Sequence, residues 1–359
     1  MKVLAINPGS TSTKVAAYED ETCLWKHGIE HPPSEINVFI RVGDQHGYRI
    51  AQILQVLADQ GTPLNVFEGI VGRGGILKPL SGGTYLVDDF LVNTLYDAPC
   101  GEHASNLGGI IAYHLGQRIN VPVYIVDPVS VDEMEPVARL SGLPELSRLS
   151  QSHALNMKAV ARKVAQEIGK TYYEANLIIA HLGGGISVAP HLKGKMIDVN
   201  NANNEGPFSV ERCGTLPSVQ LVKLCYAGTY SEKEMLSKIL KEGGMFAYLG
   251  TKDGRQAEKR MNEGDLDAKL ILEGLCYQVA KEIGAMSTVL AGEVDRIVLT
   301  GGLAHSGFIT HEIIRRVGFI SPVVVVPGEE EMEALAFGAL RVLRGEEKAM
   351  IYEDKSYKS

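Results

Sequence analysis

The sequence predicts an α/β protein built of two similar halves, on three observations. Strand-like and helix-like segments alternate along the chain, the pattern of sheets covered by helices. A strand–turn–strand unit opens the chain at residues 3–18, and a second one follows near mid-chain at residues 177–189; each places a tight turn between two apolar runs. Finally, 359 residues at roughly 150 per domain make about two domains.

Taken in order, residues 3–6 read as a short buried strand, 7–13 as a turn rich in Gly, Ser and Thr, and 14–18 as the returning strand. A P-loop needs GxxxxGK[ST] leading into a helix, whereas here one glycine precedes a β-rich return, so any phosphate at this point sits in a hairpin turn. Residues 51–58 read as a helix, 69–71 as a strand entering a Gly-Arg-Gly-Gly turn, and 104–117 as an apolar-periodic helix. The strand at 121–126 ends at Asp127, a carboxylate at the carboxyl end of a strand, where α/β proteins bind ligands. A helix follows at 155–168, with Ser152 as a candidate cap.

The second half repeats the scheme with a strand at 177–180, a glycine-rich turn at 181–185 and a return at 186–189. Lys193, Gly194 and Lys195 then turn the chain into 196–199. Helices are predicted at 216–226 and 231–240, followed by a loop carrying Gly243, Gly244, Gly250 and Gly254. A long helix at 266–290 is expected to break near Gly284. A strand at 296–300, a turn at Gly301 and Gly302, a helix at 307–317, a strand at 322–326 and a helix at 333–343 complete the chain. The last dozen residues, charged and polar, are expected to fray.

A net charge of −8 argues against a nucleic-acid backbone or an anionic membrane as the main partner, but leaves room for a small anionic substrate met by local positive charge. Five scattered cysteines, never spaced as CxxC, point to neither a disulfide framework nor a zinc ribbon; a reducing cytoplasm is expected. The four-residue apolar run at the amino terminus is too short for a signal peptide. Nowhere do about eighteen apolar residues run uninterrupted.

Several clusters carry chemistry. Asn7, Ser10, Thr11, Ser12, Thr13 and Lys14 offer amide, hydroxyl and ammonium donors beside Gly9, a set suited to phosphate oxygens; a polar hairpin tip is the structural alternative. Gly183, Gly184 and Gly185 remove Cβ obstruction so that backbone N–H groups can approach a ligand, unless they serve only a tight turn. Gly301 and Gly302 form a third candidate loop, suited to an adenosine moiety. Arg73, among Gly72, Gly74 and Gly75, and Arg212, before Cys213-Gly214, lie in loops where a guanidinium can clamp a carboxylate or phosphate; a solvated surface position is the alternative. His153 and His181 are candidate charge-stabilising donors, whereas His31, His46 and His191 have no such context. Asp127 and the acidic run Glu329, Glu330, Glu331, Glu333 could reach a Mg²⁺ on nucleotide phosphates, although such a run also suits a solvated helix start.

The stretches LAINPGSTSTK, VGRGG, VYIVDPVSVDEMEP, SHALN, HLGGGISV, ERCGTLPS and LTGGLAHSG together resemble the butyrate kinases and, more distantly, the acetate kinases. These are short-chain carboxylate kinases of the actin-like and sugar-kinase ATPase superfamily. The resemblance implies two ribonuclease-H-like domains, residues 1–155 and 156–359, with a nucleotide cleft between them and the last helix a candidate to pack back onto the first. It puts Asn7, Ser10, Ser12 and Lys14 on the first phosphate turn and Gly183, Gly184 and Gly185 on the second. Asp127 becomes the metal-associated aspartate, Glu331 the terminal glutamate, Arg212 an active-site arginine, and His153 and His181 the paired histidines.

Two positions depart from the acetate kinases. Arg73 of the VGRGG turn stands where they carry a histidine and Ile70, three residues earlier, where they carry an arginine, so the substrate arginine is read as Arg73 displaced along the turn. Gly184 replaces their usual asparagine, a mark of the butyrate branch. The implied activity is reversible transfer of phosphate between ATP/ADP and butyrate or a branched analogue such as isobutyrate, with Mg²⁺, in a cytoplasmic homo-oligomer, a dimer or a multiple of dimers. Acetate kinase is the alternative within the family, and a non-catalytic ATP-binding regulator the alternative outside it.

Overall fold

The computed structural model describes residues 1–353. The chain divides into two compact units, Met1–Val131 together with the chain from Glu330 onwards, and Asp132–Glu329.

The first unit is built on a six-stranded sheet of strands β1 (Lys2–Pro8), β2 (Ser12–Glu19), β3 (Thr22–Glu30), β4 (Gly69–Arg73), β5 (Thr84–Leu86) and β6 (Val123–Val126), in the order β3-β2-β1-β4-β6-β5. Strands β1, β2 and β3 run as an antiparallel meander, while β4 and β6 join β1 in parallel. Its helices are α1 (Pro33–Ile36), α2 (His46–Asp59), α3 (Asp89–Asp97), α4 (Asn106–Ile119) and α12 (Glu331–Leu343).

Strand alternation assigns each face. Leu4, Ile6 and Ile70 point into a core with Ile53 of α2 and Leu107, Ile110 and Ile111 of α4. Gly72 lies on that same face, so close to α4 that a Cβ there would fall 2.0 Å from the Gly108 carbonyl oxygen. Gly69, three residues earlier and therefore on the opposite face, would meet Leu343 of α12 at 2.9 Å. Beyond α12 the chain pairs back along β5, with Met350 N–H on the Thr84 carbonyl (2.8 Å) and Leu86 N–H on the Met350 carbonyl (2.9 Å). Tyr352 is buried and stacks on Phe90. The expected fraying therefore does not hold for 350–352, because that stretch completes an open sheet edge; residues 354–359 lie outside the described ones.

The second unit holds β7 (Asn176–Leu182), β8 (Ile186–Leu192), β9 (Lys195–Met196), β10 (Arg296–Gly301) and β11 (Val323–Pro327), in the order β11-β10-β7-β8-β9. With β5 set aside as an edge addition, both sheets repeat one plan: an antiparallel three-strand meander whose first strand continues into two parallel ones. This is the ribonuclease-H-like topology, present twice.

The helices of this unit are α5 (Ala154–Glu167), α6 (Ser218–Cys225), α7 (Glu232–Leu240), α8 (Gly244–Leu249), α9 (Gly254–Asn262), α10 (Leu266–Val289) and α11 (Gly307–Val317). Ile178, Ala180 and Leu182 face a core with Leu272, Leu275, Val279 and Ile283 of α10; the intervening His181 turns the other way, toward α5.

Three sequence expectations fail here. Helix α10 is continuous through Gly284, where a Cβ would meet nothing within 4 Å; a lone glycine costs about 1 kcal/mol and does not end a 24-residue helix. The glycine-rich stretch after α7 is two helices rather than a loop, its glycines lying at helix ends: Gly244 at φ +55° under the Ser209 carbonyl, and Gly250 as the left-handed cap of α8. Ser152 does not cap α5; His153 occupies that position.

Candidate active-site residues

In the first unit, strand register lines up the candidates. Ile6 pairs with Gly72 and Gly72 with Ile125, so Asn7 and Arg73 stand side by side at the strand ends, with Asp127 one residue beyond β6. Asn7 also pairs with Lys14 across the β1–β2 hairpin, which puts Lys14 on the same sheet face. That face is covered by α12, and Glu331, its first residue, reaches both neighbours. Its Oε2 accepts from Asn7 Nδ2 at 2.7 Å and from Arg73 Nη1 at 3.1 Å, while Arg73 Nη2 lies 3.1 Å from Oε1. Arg73 Nη1 also donates to Asn7 Oδ1 at 3.3 Å. The guanidinium and carboxylate thus meet fork to fork.

Asp127 is 4% exposed and holds φ at +36°, a left-handed conformation that aspartate tolerates better than most residues. Its Oδ1 accepts from Gly83 N–H at 2.7 Å, and its own N–H donates to the Gly83 carbonyl at 3.0 Å.

The first turn is closed by Gly9 N–H on the Ser12 carbonyl at 2.7 Å, with Ser10 and Thr11 exposed at its tip. Thr13 alternates to the buried face, where its Oγ1 lies 2.7 Å from Nε2 of His31. His31, which the sequence left without context, is 1% exposed beneath the turn; burial first and the neighbouring Arg49 second push its imidazole down to about 4, so the ring is neutral near pH 7. Arg49 of α2 also bonds the turn from below, and sequence reasoning missed it. A signal was present, since Arg49 falls on the stripe of Ile53, Val56 and Leu57 that faces the core.

In the second unit, His181 lies on the face of β7 that turns toward α5. Its Nδ1 lies 2.8 Å from Asn156 Oδ1, and its Nε2 lies 3.1 Å from Glu329 Oε1. His153 stacks on it, ring centroids 3.9 Å apart and planes within 9°. Ser187, paired with His181 across the β7–β8 hairpin, fixes His153 through Nδ1 at 3.0 Å. The acidic run is thereby sorted, with Glu329 on His181 and Glu331 on Arg73.

The turn between β7 and β8 is closed by Gly183 N–H on the Gly185 carbonyl at 3.1 Å. Ser209 braces it by donating to the Gly184 carbonyl at 2.5 Å and accepting the Arg212 N–H at 3.1 Å. Arg212 lies over Gly185, and burial depresses its guanidinium below the ordinary arginine range, partly offset by Glu211. Its Nε is buried without a protein partner among the described residues. Gly301 follows at the end of β10 at φ +89°, where a Cβ would fall 2.4 Å from the Leu182 carbonyl; only glycine fits, and Gly302 is exposed beside it.

The candidates therefore form two sets. Asn7, Ser10, Ser12, Lys14, Arg73, Asp127 and Glu331 belong to the first unit. His153, His181, Gly183, Gly184, Gly185, Arg212, Gly301 and Gly302 belong to the second.

The Acetokinase family model matches residues 148–324, just under half of the chain. Acetate kinase from Porphyromonas gingivalis has a similar structure, with a TM-score of 0.79 and 19% identity over 95% of this chain and 99% of that one. Acetate kinase from Entamoeba histolytica gives 0.74 and 16% over 95% and 99%. A propionate kinase from Francisella tularensis subsp. tularensis SCHU S4 gives 0.73 and 18% over 93% and 98%. The chain thus has the actin-like ATPase fold of the acetate and propionate kinases, and residues 148–324, which carry every candidate of the second set, have the sequence pattern of the acetokinase family.

Proposed function

We propose that the protein is a carboxylate kinase of the acetokinase family, transferring the γ-phosphoryl group of ATP to a short-chain acid, butyrate or a branched analogue such as isobutyrate, and running in reverse to form ATP. The observation that carries this reading is the gathering of Arg212, His181 and His153 around a glycine-opened turn, within the segment that matches the family.

A carboxylate is already ionised near neutral pH, so one of its oxygens attacks the γ-phosphorus without a general base. The P–O bond to ADP breaks as the new O–P bond forms, giving an acyl phosphate and ADP. What the protein supplies is position and charge. Arg73 clamps the acid, exchanging Glu331 for the substrate carboxylate. Arg212 and the two imidazoles donate to the oxygens of the moving phosphoryl group, and the turns at Ser10–Ser12 and Gly183–Gly185 hold the phosphates. Asp127 and Glu331 offer the hard carboxylate oxygens that Mg²⁺ takes, one or two at a time with water; they would hold the ion, which neutralises phosphate charge when bound.

Gly184 and the shifted Arg73 favour a four-carbon acid by resemblance, while the overall likeness to acetate and propionate kinases favours a shorter one. Two methylenes are worth about 1.6 kcal/mol, or about fifteenfold. Hydroxamate formation with ATP and a panel of acids from acetate to valerate decides between them: kcat/KM highest for a C4 acid supports butyrate kinase, and highest for acetate supports acetate kinase. A cytoplasmic dimer, or a multiple of dimers, belongs to the same proposal, and light scattering checks the assembly.

A further inference from the structure

The hydrogen bonds beneath the first turn support an inference that rests on, and deepens, the proposed phosphate binding there. Arg49 is 1% exposed. Its Nη1 donates to the carbonyls of Gly9 (2.9 Å) and Ser12 (3.1 Å) and to Thr13 Oγ1 (3.0 Å). Its Nη2 donates to the Ser10 carbonyl at 3.2 Å, and Nε and Nη2 both reach Gln45 Oε1, at 3.2 and 2.8 Å. The Thr11 carbonyl is taken by His31 N–H at 2.7 Å. Four consecutive carbonyls, Gly9 to Ser12, are thereby drawn inward. The N–H groups of Ser10 and Thr11, at the exposed tip, have no acceptor among the described residues.

Every acceptor of Arg49 is a neutral oxygen. Glu35, an acid on the adjoining segment, is exposed and bonded instead to the Tyr48 hydroxyl at 2.6 Å, and His31 adds no charge near pH 7. Burying a cation without a counter-anion is costly, and the cost is offset when an anion arrives from outside. Amides turned outward over a buried cation make an anion-receptive nest.

We infer that Arg49 is a positioning residue for the bound phosphate: it turns the carbonyls of residues 9–12 inward, leaving amides and hydroxyls outward, and its unbalanced charge draws the anion to that turn.

Gln45→Glu separates this role from a merely structural one, because it keeps the shape of the Arg49 fork while placing a carboxylate on the guanidinium. The expected result is a thermal midpoint at or above wild type, with the calorimetric Kd for ATP and for inorganic phosphate raised at least fivefold and the KM for the acid unchanged within twofold. Arg49→Lys keeps the charge but cannot bridge the same acceptors; its KM for ATP should rise about tenfold with a smaller fall in kcat. Wild-type affinity for ATP in Gln45→Glu overturns the inference, and so does wild-type KM in Arg49→Lys. If the wild type forms hydroxamate all the same, the carboxylate-kinase reading stands without Arg49. A wild type that neither binds ATP nor forms hydroxamate removes that reading, and this inference with it.

Discussion

The guanidinium of Arg212 rests on Gly185: a Cβ at residue 185 would fall 2.7 Å from Nη1 and 3.0 Å from Cζ. The glycine thus does more than free a backbone amide, since its bare Cα leaves the space that the arginine occupies. Because the obstructing atoms are the far end of a flexible side chain, the fold can accommodate a methyl group there by moving the guanidinium.

Gly185→Ala should therefore leave the thermal midpoint nearly unchanged while lowering kcat about a hundredfold, since a misplacement of about 1 Å at a charge-stabilising group has that effect. Arg212→Ala should lower turnover at least as much with the fold intact. Near-wild-type kcat in Arg212→Ala removes that residue from the mechanism.

Arg73 and Glu331 make a second separable pair. Losing a bidentate, charge-assisted contact to the acid should raise its KM about tenfold to a hundredfold in Arg73→Ala. Calorimetric affinity for ATP should stay within about twofold, because the residue is proposed to touch the acid. Loss of ATP binding with unchanged KM for the acid would reverse that assignment.

His31 makes stability pH-dependent in a defined direction. Its folded pKa of about 4 lies below the ordinary 6.5, so the unfolded chain binds the proton first as pH falls. Stability from this group is complete above about pH 6.5 and is lost as pH drops toward 4. Histidine NMR titration should find one ring, absent in His31→Asn, titrating near 4, and acid unfolding of that variant should be flatter across this window. A His31 ring titrating near 6.5 contradicts the buried placement.

Gly72→Ala sets backbone against backbone, with a Cβ 2.0 Å from the Gly108 carbonyl. Neither β4 nor α4 can yield cheaply, so urea unfolding should report a loss of about 3 kcal/mol or more. A loss under about 1 kcal/mol would show that the helix moves freely off the strand.

What the sequence made legible follows from the range of the interactions. Both hairpin turns could be read because glycines and hydroxyls interrupt apolar runs locally. Strand β3 could not, since TCLWKHGIE is mostly exposed and shows no alternation. Helices α8 and α9 were hidden because Gly244, Gly250 and Gly254 read as breakers when they serve as helix ends. The support of the first turn was least visible of all: Thr13 meets a histidine 18 residues away and an arginine 36 away, and only the folded sheet brings them together. The motifs placed Arg73 and Glu331 separately, but their pairing across 258 residues depends on α12 returning to the first sheet.

In the proposed reaction a carboxylate oxygen of the acid becomes the bridging oxygen of an acyl phosphate. Butyrate labelled with ¹⁸O in both carboxyl oxygens, incubated with ATP, Mg²⁺, the protein and hydroxylamine, should give butyryl hydroxamate and an equal amount of phosphate carrying one ¹⁸O, visible as an isotope shift in the ³¹P NMR spectrum. Phosphate released without label, or no hydroxamate from any acid between acetate and valerate, would contradict it.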